Sequence, residues 1–564
     1  MDRGTIIEGL KERSDVEVLV VGAGINGIGV FRDLARQGVA VLLVDRGDFC
    51  SGASATSSHM AHGGIRYLEN GEFRLVREAV NERNRLLVNA PHLVKPLPTV
   101  VPMFRLFSGL LNAPFKFLGW LDKPSERGAV VIKVGLMLYD ALTQGRRVVP
   151  KHRFEGRKKT RERYPELNPE VKYAAMYYDG QLLSPERLAV ELVLDAEAEG
   201  PHARALSYAP LIGAEAADGS LRIRDELGGQ EIRVKPRVIV NAAGPWIDPV
   251  NAAFGLSTRY IEGTKGSHIV VDNPALRAAM GDHEFFFENS DGRIVLMLAW
   301  YDRVLIGTSD LPIDDADKAV CTEEEIEYFI GLVSRIFPGI PVTKDQIVFT
   351  FSGVRPLPPS TAKNVSQISR DHSIGEDRLG AIPVLSLVGG KWTAFRAFGE
   401  QVTDRVLGIL GKRRKESTQN LAIGGGAAWP STPAGQEELA LKLVRERGLP
   451  FERATQLFDR YGTRAGLFAE RLGPGGKERM LENLPGYSRE EIASLIALEK
   501  VERLDDLVLR RSTIAWLGRA RRPLLEELAA VMGESLGWSP AKREAEVERV
   551  ATLLRERHRV EPSR

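Results

Sequence analysis

Two cysteines in 564 residues, Cys50 and Cys321, supply neither a disulfide framework nor a thiolate metal site, and suit a reducing compartment. No apolar run is long enough and free enough of charge to span a bilayer. The opening stretch from Met1 to Arg13 carries too many charges for a secretory signal, so the chain is expected to begin in the cytoplasm and stay on that side. An excess of one charge is missing too: 77 Lys plus Arg stand against 75 Asp plus Glu, a net of +2, which gives no reason to expect a nucleic acid partner. Metal-ligand spacings and internal repeats are not evident, and no metal is expected. The length allows roughly two to four domains with an ample core.

What is present begins with Val18-Leu-Val-Val-Gly22-Ala-Gly24-Ile-Asn26-Gly27. Val16 to Val21 and Val39 to Val44 are β-branched runs of strand length, and Ile28, Phe31, Leu34 and Ala35 recur between them at helical spacing. That spacing turns one helix face to a sheet and leaves Arg32, Asp33 and Arg36 facing water. Gly22 permits the tight turn, Gly24 the approach of a pyrophosphate to the backbone, and Gly27 close packing of helix on strand. The helix N-terminus offers unpaired N–H groups to the anion. Asp45, eighteen residues after Gly27, is placed to accept hydrogen bonds from an adenosine ribose and to repel a 2′-phosphate, although Arg46 beside it softens that repulsion. Strand, helix, second strand and terminal acid in register mark a dinucleotide site, with NAD and FAD still undistinguished.

Small hydroxyl residues follow the acid, Gly47 to Ser58, as befits a loop lying along an extended cofactor. Then His59-Met-Ala-His62-Gly63-Gly64-Ile-Arg66-Tyr67 gathers a candidate base and two phosphate-type donors. Residues 72 to 90 read as an amphipathic helix stopped at Pro91, Tyr173 to Gly180 as a strand, and 205 to 235 as an antiparallel hairpin region. Arg237 to Ala243-Gly244 is a buried-type strand returning the chain to the first sheet. Such a late return suits a long cofactor held by several loops. Strands near Gly266 to Val271, Glu284 to Phe287, Arg293 to Leu298 and Val304 to Asp310 suggest a β-rich domain over the cofactor domain. Leu385 to Gly390-Lys391-Trp-Thr393 is strand, glycine turn and helix start, a second helix N-terminus for a polar cofactor. After about residue 411 a polar linker and a Gly/Pro stretch lead into charge-rich helical sequence.

Thr56-Ser57-Ser58, His62-Gly-Gly-Ile-Arg66-Tyr67-Leu, Gly266-Ser-His268-Ile-Val-Val, Gly307-Thr-Ser-Asp310, Gly353-Val-Arg355-Pro-Leu and Gly389-Gly-Lys391 together resemble the FAD-dependent glycerol-3-phosphate dehydrogenases, within the glycine/D-amino-acid oxidase-like flavoproteins. The resemblance runs from about 15 to 410 and more weakly beyond. It departs at His59-Met-Ala, at Ser369-Arg370-Asp371-His372 and at Trp392-Thr-Ala-Phe, which touch the substrate side more than the cofactor side. It implies an α/β fold: a Rossmann-like FAD-binding domain, an interleaved β-rich substrate domain and a C-terminal all-helical domain. The expected bounds are 15–100, 170–250 and 345–410 for FAD binding, 100–170 and 250–345 for substrate, and 425–564 for the helical domain. It also implies non-covalent FAD, held by Gly22, Gly24, Asn26, Gly27, Asp45, Ser57, Ser58, Gly63, Gly64, Ala243, Gly244 and Gly390.

Oxidising a secondary alcohol takes a hydride from carbon and a proton from oxygen, so a base must sit beside the flavin. His268 is the first candidate and His62 the second. Arg355 stays charged and suits a developing alkoxide. Arg66, Arg370 and Lys391, with Tyr67 and Thr393 as neutral donors, suit a phosphate dianion. The expected reaction is sn-glycerol 3-phosphate to dihydroxyacetone phosphate with electrons passed to a quinone. Another polyol phosphate such as erythritol phosphate, or a non-catalytic flavin protein, is the alternative. Met103 to Leu121 combines Phe104, Phe107, Leu110, Leu111, Phe115, Phe117, Leu118 and Trp120 with Arg105 and Lys116, which suits an interfacial contact with the inner face of the cytoplasmic membrane; a core element or lid is the competing reading. A homodimer is also allowed.

Overall fold

The computed structural model describes residues 1–562 except 66–71, 105–128, 143–147, 216–218, 289–293, 360–370 and 474–476, and except the side chains of 129–131, 138, 141, 142, 288 and 294. Arg66, Tyr67, Arg370 and the stretch 105–121 therefore lie outside the described residues.

Two sheets organise the chain. In the first, the strand Asp15–Val21 pairs in parallel with Val41–Val44 on one side and with the returning strand Glu231–Asn241 on the other, so that Val20 stands beside Leu43 and Val240. Ile382–Val388 extends the sheet in parallel beyond Glu231–Asn241, Ala203–Leu206 extends it beyond Val41–Val44, and Ser373–Leu379 closes one edge antiparallel. Parallel strands bury both faces. Val18, Val20, Val41, Leu43, Val238 and Val240 point to one side, under Ile28, Phe31, Leu188, Val402 and Val406 of three helices. Leu19, Val21, Leu42 and Ile239 point to the other, under Ile6, Ile7 and Leu10 of the N-terminal helix Arg3–Glu12.

The helix Ile25–Arg36 is buried on more faces than its apolar stripe indicates. Arg32 and Asp33, expected in water, are 6% and 1% exposed. The segment around 414–422 crosses that side: Arg32 donates to the Ala422 carbonyl and Asp195, and Arg414 pairs with Asp33. A second helix, Phe395–Leu410, crosses closely at paired glycines, where a Cβ on Gly399 would meet the Gly29 backbone at 2.8 Å.

The 205–235 region is only partly the expected hairpin. Its first strand, Ala203–Leu206, is parallel to Val41–Val44, and the antiparallel pairing starts with Leu211–Ala214 and Leu221–Arg224.

In the second, larger sheet, Thr264–Val271 lies between Arg303–Gly307 and Ile347–Arg355, while Val94–Met103 pairs along its whole length with Tyr173–Leu182. These last two strands and Ile347–Arg355 overlap the ranges assigned from sequence to FAD binding; in the structure they belong to the second sheet. Alternation sorts its side chains. Ile269, Val271, Met297 and Ile306 face the helix Glu323–Ile336, which opens with a Thr322–Glu325 capping box. Val270, Leu296, Leu298, Leu305, Phe349 and Phe351 face the C-terminal helices, where Trp516, Leu507, Leu524 and Leu528 meet them in one hydrophobic cluster.

Candidate active site

The stretch Gly52–Ser58 runs between the two sheets and joins their functional ends. On the first sheet, Gly22 has φ +104°, and a Cβ there would meet the Ala242 carbonyl oxygen at 2.6 Å; a Cβ on Gly27 would lie 1.9 Å from the Gly22 carbonyl oxygen. Glycine is therefore required for strand, turn and helix to pack. Gly24 caps the helix with extended backbone and no side-chain bond, leaving that helix end to a ligand and to Ser54, whose Oγ accepts from Ile25 N at 2.9 Å. Gly390, at φ +95°, leaves room for Asn26: a Cβ would meet Asn26 Nδ2 at 2.2 Å. Asn26 donates to the Gly389 carbonyl at 3.1 Å, and its buried Oδ1 has no partner among the described residues. Trp392 Nε1 donates to the Ser54 carbonyl at 2.8 Å and ties the second glycine turn to the same loop.

Asp45 ends Val41–Val44, as the fingerprint requires. Its carboxylate accepts from Ala23 N at 2.6 Å and Gly47 N at 2.8 Å. Burial pushes its pKa up to about 6, against the pull of those two N–H groups. Arg46 turns away to stack on Trp246, 4.4 Å from the ring centroid, and to pair with Asp317. It therefore does not neutralise Asp45 at contact distance. Gly244, at φ +58°, opens the short turn that ends in Trp246.

On the second sheet, His268 is 2% exposed, its Nε2 lies 2.8 Å from Ser58 Oγ, and its ring stacks on Phe351 at 4.6 Å and 5°. Gly307 makes the space, since a Cβ there would fall 2.1 Å from the ring. Burial, then the nearby Arg355 charge, hold the His268 pKa well below its usual value. Nδ1 has no hydrogen-bond partner among the described residues. Arg355 lies across Gly266, where a Cβ would meet Nη2 at 2.4 Å. Its Nη1 donates to Asp310 at 3.0 Å and its Nη2 to Thr308 at 3.0 Å. Gly353 abuts Thr56, so Thr56 to Ser58 lies directly on the strand that carries Phe351 and Arg355.

The structure thus brings together Gly22, Gly24, Asn26, Gly27, Asp45 and Gly390 on one side of the loop and Ser58, His268 and Arg355 on the other. Ser57 Oγ only accepts from His59 N, at 3.3 Å. Gly63 belongs to another cluster, its N–H donating to Asp179 at 2.8 Å beside Tyr139 and Arg83. His62 and Lys391 are half-buried, Thr393 and Gly64 are buried, and Ala243 caps the Gly244 turn. Sequence reasoning missed Ser54, Thr56, Phe351, Thr308 and Asp310 as positioning groups; the Gly307 to Asp310 motif was the available signal for two of them. His59, just past the Gly52–Ser58 stretch, is fully buried against Trp300 and Trp516, with its backbone at φ +55°.

A family model for FAD dependent oxidoreductases matches residues 17–405, and one for the C-terminal domain of alpha-glycerophosphate oxidase matches residues 416–543. The chain belongs to the FAD dependent oxidoreductase family. The glycerol-3-phosphate dehydrogenase of Synechocystis sp. is 33% identical over 523 residues, covering 88% of this chain and 89% of that one. The D-erythritol 1-phosphate dehydrogenase of Brucella abortus is 31% identical, covering 89% and 95%. The solved glycerol-3-phosphate dehydrogenase from Bacillus halodurans, complexed with FAD, shares the fold, with a TM-score of 0.76 at 22% identity over 100% of this chain and 98% of that one. The cofactor of this flavoprotein is FAD, and the cradle fits it: glycines where any Cβ would collide, an open helix N-terminus and the unpartnered Asn26 Oδ1 all face a polar, extended group. Among the described residues no group of His, Cys, Asp and Glu forms a metal site, and no helix is long and apolar enough to cross a membrane.

Proposed function

We propose that this chain oxidises sn-glycerol 3-phosphate to dihydroxyacetone phosphate, with the electrons leaving to a quinone. The observation that carries the reading is a neutral, oriented imidazole beside a fixed guanidinium: His268 on Ser58 and Phe351, and Arg355 on Thr308 and Asp310. Bound FAD supplies the hydride acceptor. Gly22, Gly24, Asn26, Gly27, Asp45, Ser57, Ser58, Gly64, Ala243, Gly244 and Gly390 hold it, while the Gly63 N–H is taken by Asp179.

The proton goes to His268. With Nε2–H donating to Ser58 Oγ, Nδ1 carries the lone pair, and the stacked ring cannot swing away. A base with a depressed pKa stays unprotonated at neutral pH, and an arriving phosphate dianion offsets the Arg355 charge and strengthens it. Arg355 receives the developing alkoxide in two-pronged fashion while Asp310 keeps the guanidinium aimed. Arg66, Arg370 and Lys391, with Tyr67 and Thr393, bind the phosphate; His62 is the reserve base. The division into an FAD-binding part, a substrate part over 100–170 and 250–345 and a helical domain over 425–564 belongs to the same reading. So do action at the cytoplasmic membrane surface through 103–121 and a homodimer.

Erythritol phosphate is the second substrate reading, favoured by the Brucella relative's name. Anaerobic flavin reduction and dye reduction across glycerol 3-phosphate, erythritol phosphate and their unphosphorylated parents decide between them. Preference for glycerol 3-phosphate is expected. Equal rates with the parents would remove the phosphate site, and no reduction by any of them would leave a flavin-binding protein without this activity.

A further inference from the structure

The turn that follows Asp45 is gripped by the C-terminal helical segment. Asp48, three residues on, is fully buried. Arg511 donates to both its oxygens, Nη1 to Oδ2 at 2.6 Å and Nη2 to Oδ1 at 2.9 Å, and Arg510 Nε donates to Oδ2 at 2.6 Å. Both arginines lie on the wide helical turn Asp506–Arg511, more than 460 residues away in sequence. Arg510 is shared with Asp505 and Asp506 at 2.6 and 2.7 Å, and Arg511 Nε donates to the Glu499 carbonyl at 2.8 Å. Arg510, Arg511, Asp48, Asp505 and Asp506 are thus buried as one network, in which removing Asp48 leaves Arg511 without the carboxylate that it bonds.

The grip reaches the cofactor cradle through few bonds. Gly47, next to Asp48, donates to the Asp45 carboxylate at 2.8 Å, and its carbonyl accepts from Tyr208 N at 2.8 Å. Tyr208 OH donates to Asp506 of the same helical turn. Cys50 N donates to the Ala23 carbonyl at 2.8 Å, and Ala23 N donates back to Asp45. The turn 45–50 is therefore pinned on one side to the glycine turn and on the other to the helical segment.

We propose that Asp48, Arg510 and Arg511 are positioning residues for FAD, and that docking of the helical segment and binding of the adenosine half of the cofactor are thermodynamically linked. The inference rests on the reading of Asp45 as the acid that faces the adenosine ribose. Linkage is reciprocal: what the clamp contributes to FAD affinity, FAD contributes to the clamp. An ordinary interface ion pair would hold the domains together without touching affinity. A control for that role exists between the same parts of the chain, where Arg559 pairs with Glu323 at 2.7 Å, away from both 45–50 and 506–511.

The test measures dissociation constants for FAD, and for ADP as a competitor confined to the adenosine half, in Asp48→Asn and Glu323→Gln, together with hydrogen exchange over 506–511 with and without FAD. Asp48→Asn should weaken FAD and ADP by the same factor of about ten or more, and FAD should slow exchange at 506–511 in the unmodified protein only. Glu323→Gln should keep both affinities. Unchanged FAD and ADP affinities in Asp48→Asn, or equal losses in Glu323→Gln, overturn the linkage. If Asp48→Asn does not fold, Arg511→Lys, which keeps the charge but loses the two-pronged contact, must show a smaller loss in both affinities, and none would overturn it. Unmodified ADP affinity in Asp45→Ala removes the ribose reading itself, a different outcome from a failed linkage.

Discussion

Adding one methyl group at Gly266 tests the Arg355 role without deleting any functional group. A Cβ there would lie 2.4 Å from Arg355 Nη2 and 2.7 Å from Cζ and Nη1, so the guanidinium must retreat by about 1 Å to reach ordinary contact. The obstacle is the end of a flexible side chain and not backbone, which lets the strand Thr264–Val271 keep its place. Retreat stretches the bonds to Thr308 and Asp310 and moves the charge from where the alkoxide forms. A charge-assisted hydrogen bond of about 1.5 to 3 kcal/mol lost in the transition state lowers kcat/KM by roughly 10- to 150-fold. Stopped-flow anaerobic flavin reduction with glycerol 3-phosphate measures it. Gly331→Ala, at an exposed position of the helix Glu323–Ile336 with nothing near its Cβ, is the control and should leave both rate and melting temperature in place or slightly raise the latter. Gly266→Ala with unmodified kinetics and unmodified FAD content would show that Arg355 does not meet the reacting oxygen.

Three further outcomes follow from titratable groups. His268→Asn should slow flavin reduction, and because the His268 pKa is depressed in the free protein, the acid limb of kcat/KM in the unmodified protein should fall well below pH 6.5; a limb at or above 6.5 would contradict the assignment. FAD affinity should weaken as pH falls through about 6, where Asp45 takes a proton and loses acceptor strength, and Asp45→Asn should flatten that dependence; an identical pH profile in the variant would refute it. His59 and His558 are buried with pKa values pushed down to about 3 and 4, below their unfolded value near 6.5, so they cost nothing above pH 6.5 and destabilise the fold as pH drops beneath it. Urea denaturation between pH 5.5 and 4.5 should show stability falling with pH, each of the two contributing about 1 kcal/mol per pH unit, and His59→Asn, compatible with the positive φ, should lessen the slope by that amount.

The glycine fingerprint was legible because its constraints are local: a turn, a helix start and an acid at a fixed distance, each written in adjacent residues. The strand Thr264–Val271 that carries His268 was legible for the same reason, marked by Gly266-Ser267 and a β-branched run. Burial of Arg32 and Asp33 was not, because the segment that covers them arrives nearly 400 residues later in sequence. The burial of His59 was hidden for a related reason: its ring meets Trp300 and Trp516, and neither partner leaves a mark on the sequence around it. Tyr173 to Gly180 was legible as a strand, but its pairing with Val94–Met103 in the second sheet was not, since a strand's pattern states that it has an apolar face and not which sheet it will join.

That last ambiguity also explains why the helical domain is more than an appendage. Phe351 stacks on His268 with one face, and Trp516 of the helical segment stands at 5.0 Å from the same ring; Phe349, two residues earlier, meets Trp516 at 4.8 Å and stacks on His558 at 4.3 Å. The strand that carries Arg355 is therefore held from behind by residues more than 160 positions away. One hydrophobic cluster contains Leu296, Leu298 and Leu305 of the large sheet together with Leu507, Leu524 and Leu528 of the helices, so the sheet has no solvent-compatible surface on that side. The ion-pair clamp at Asp48 acts on the first sheet and the aromatic wall at Phe351 acts on the second. A single helical domain thus holds both the turn that follows Asp45 and the strand that carries Arg355, which is why its docking bears on both ends of the Gly52–Ser58 stretch.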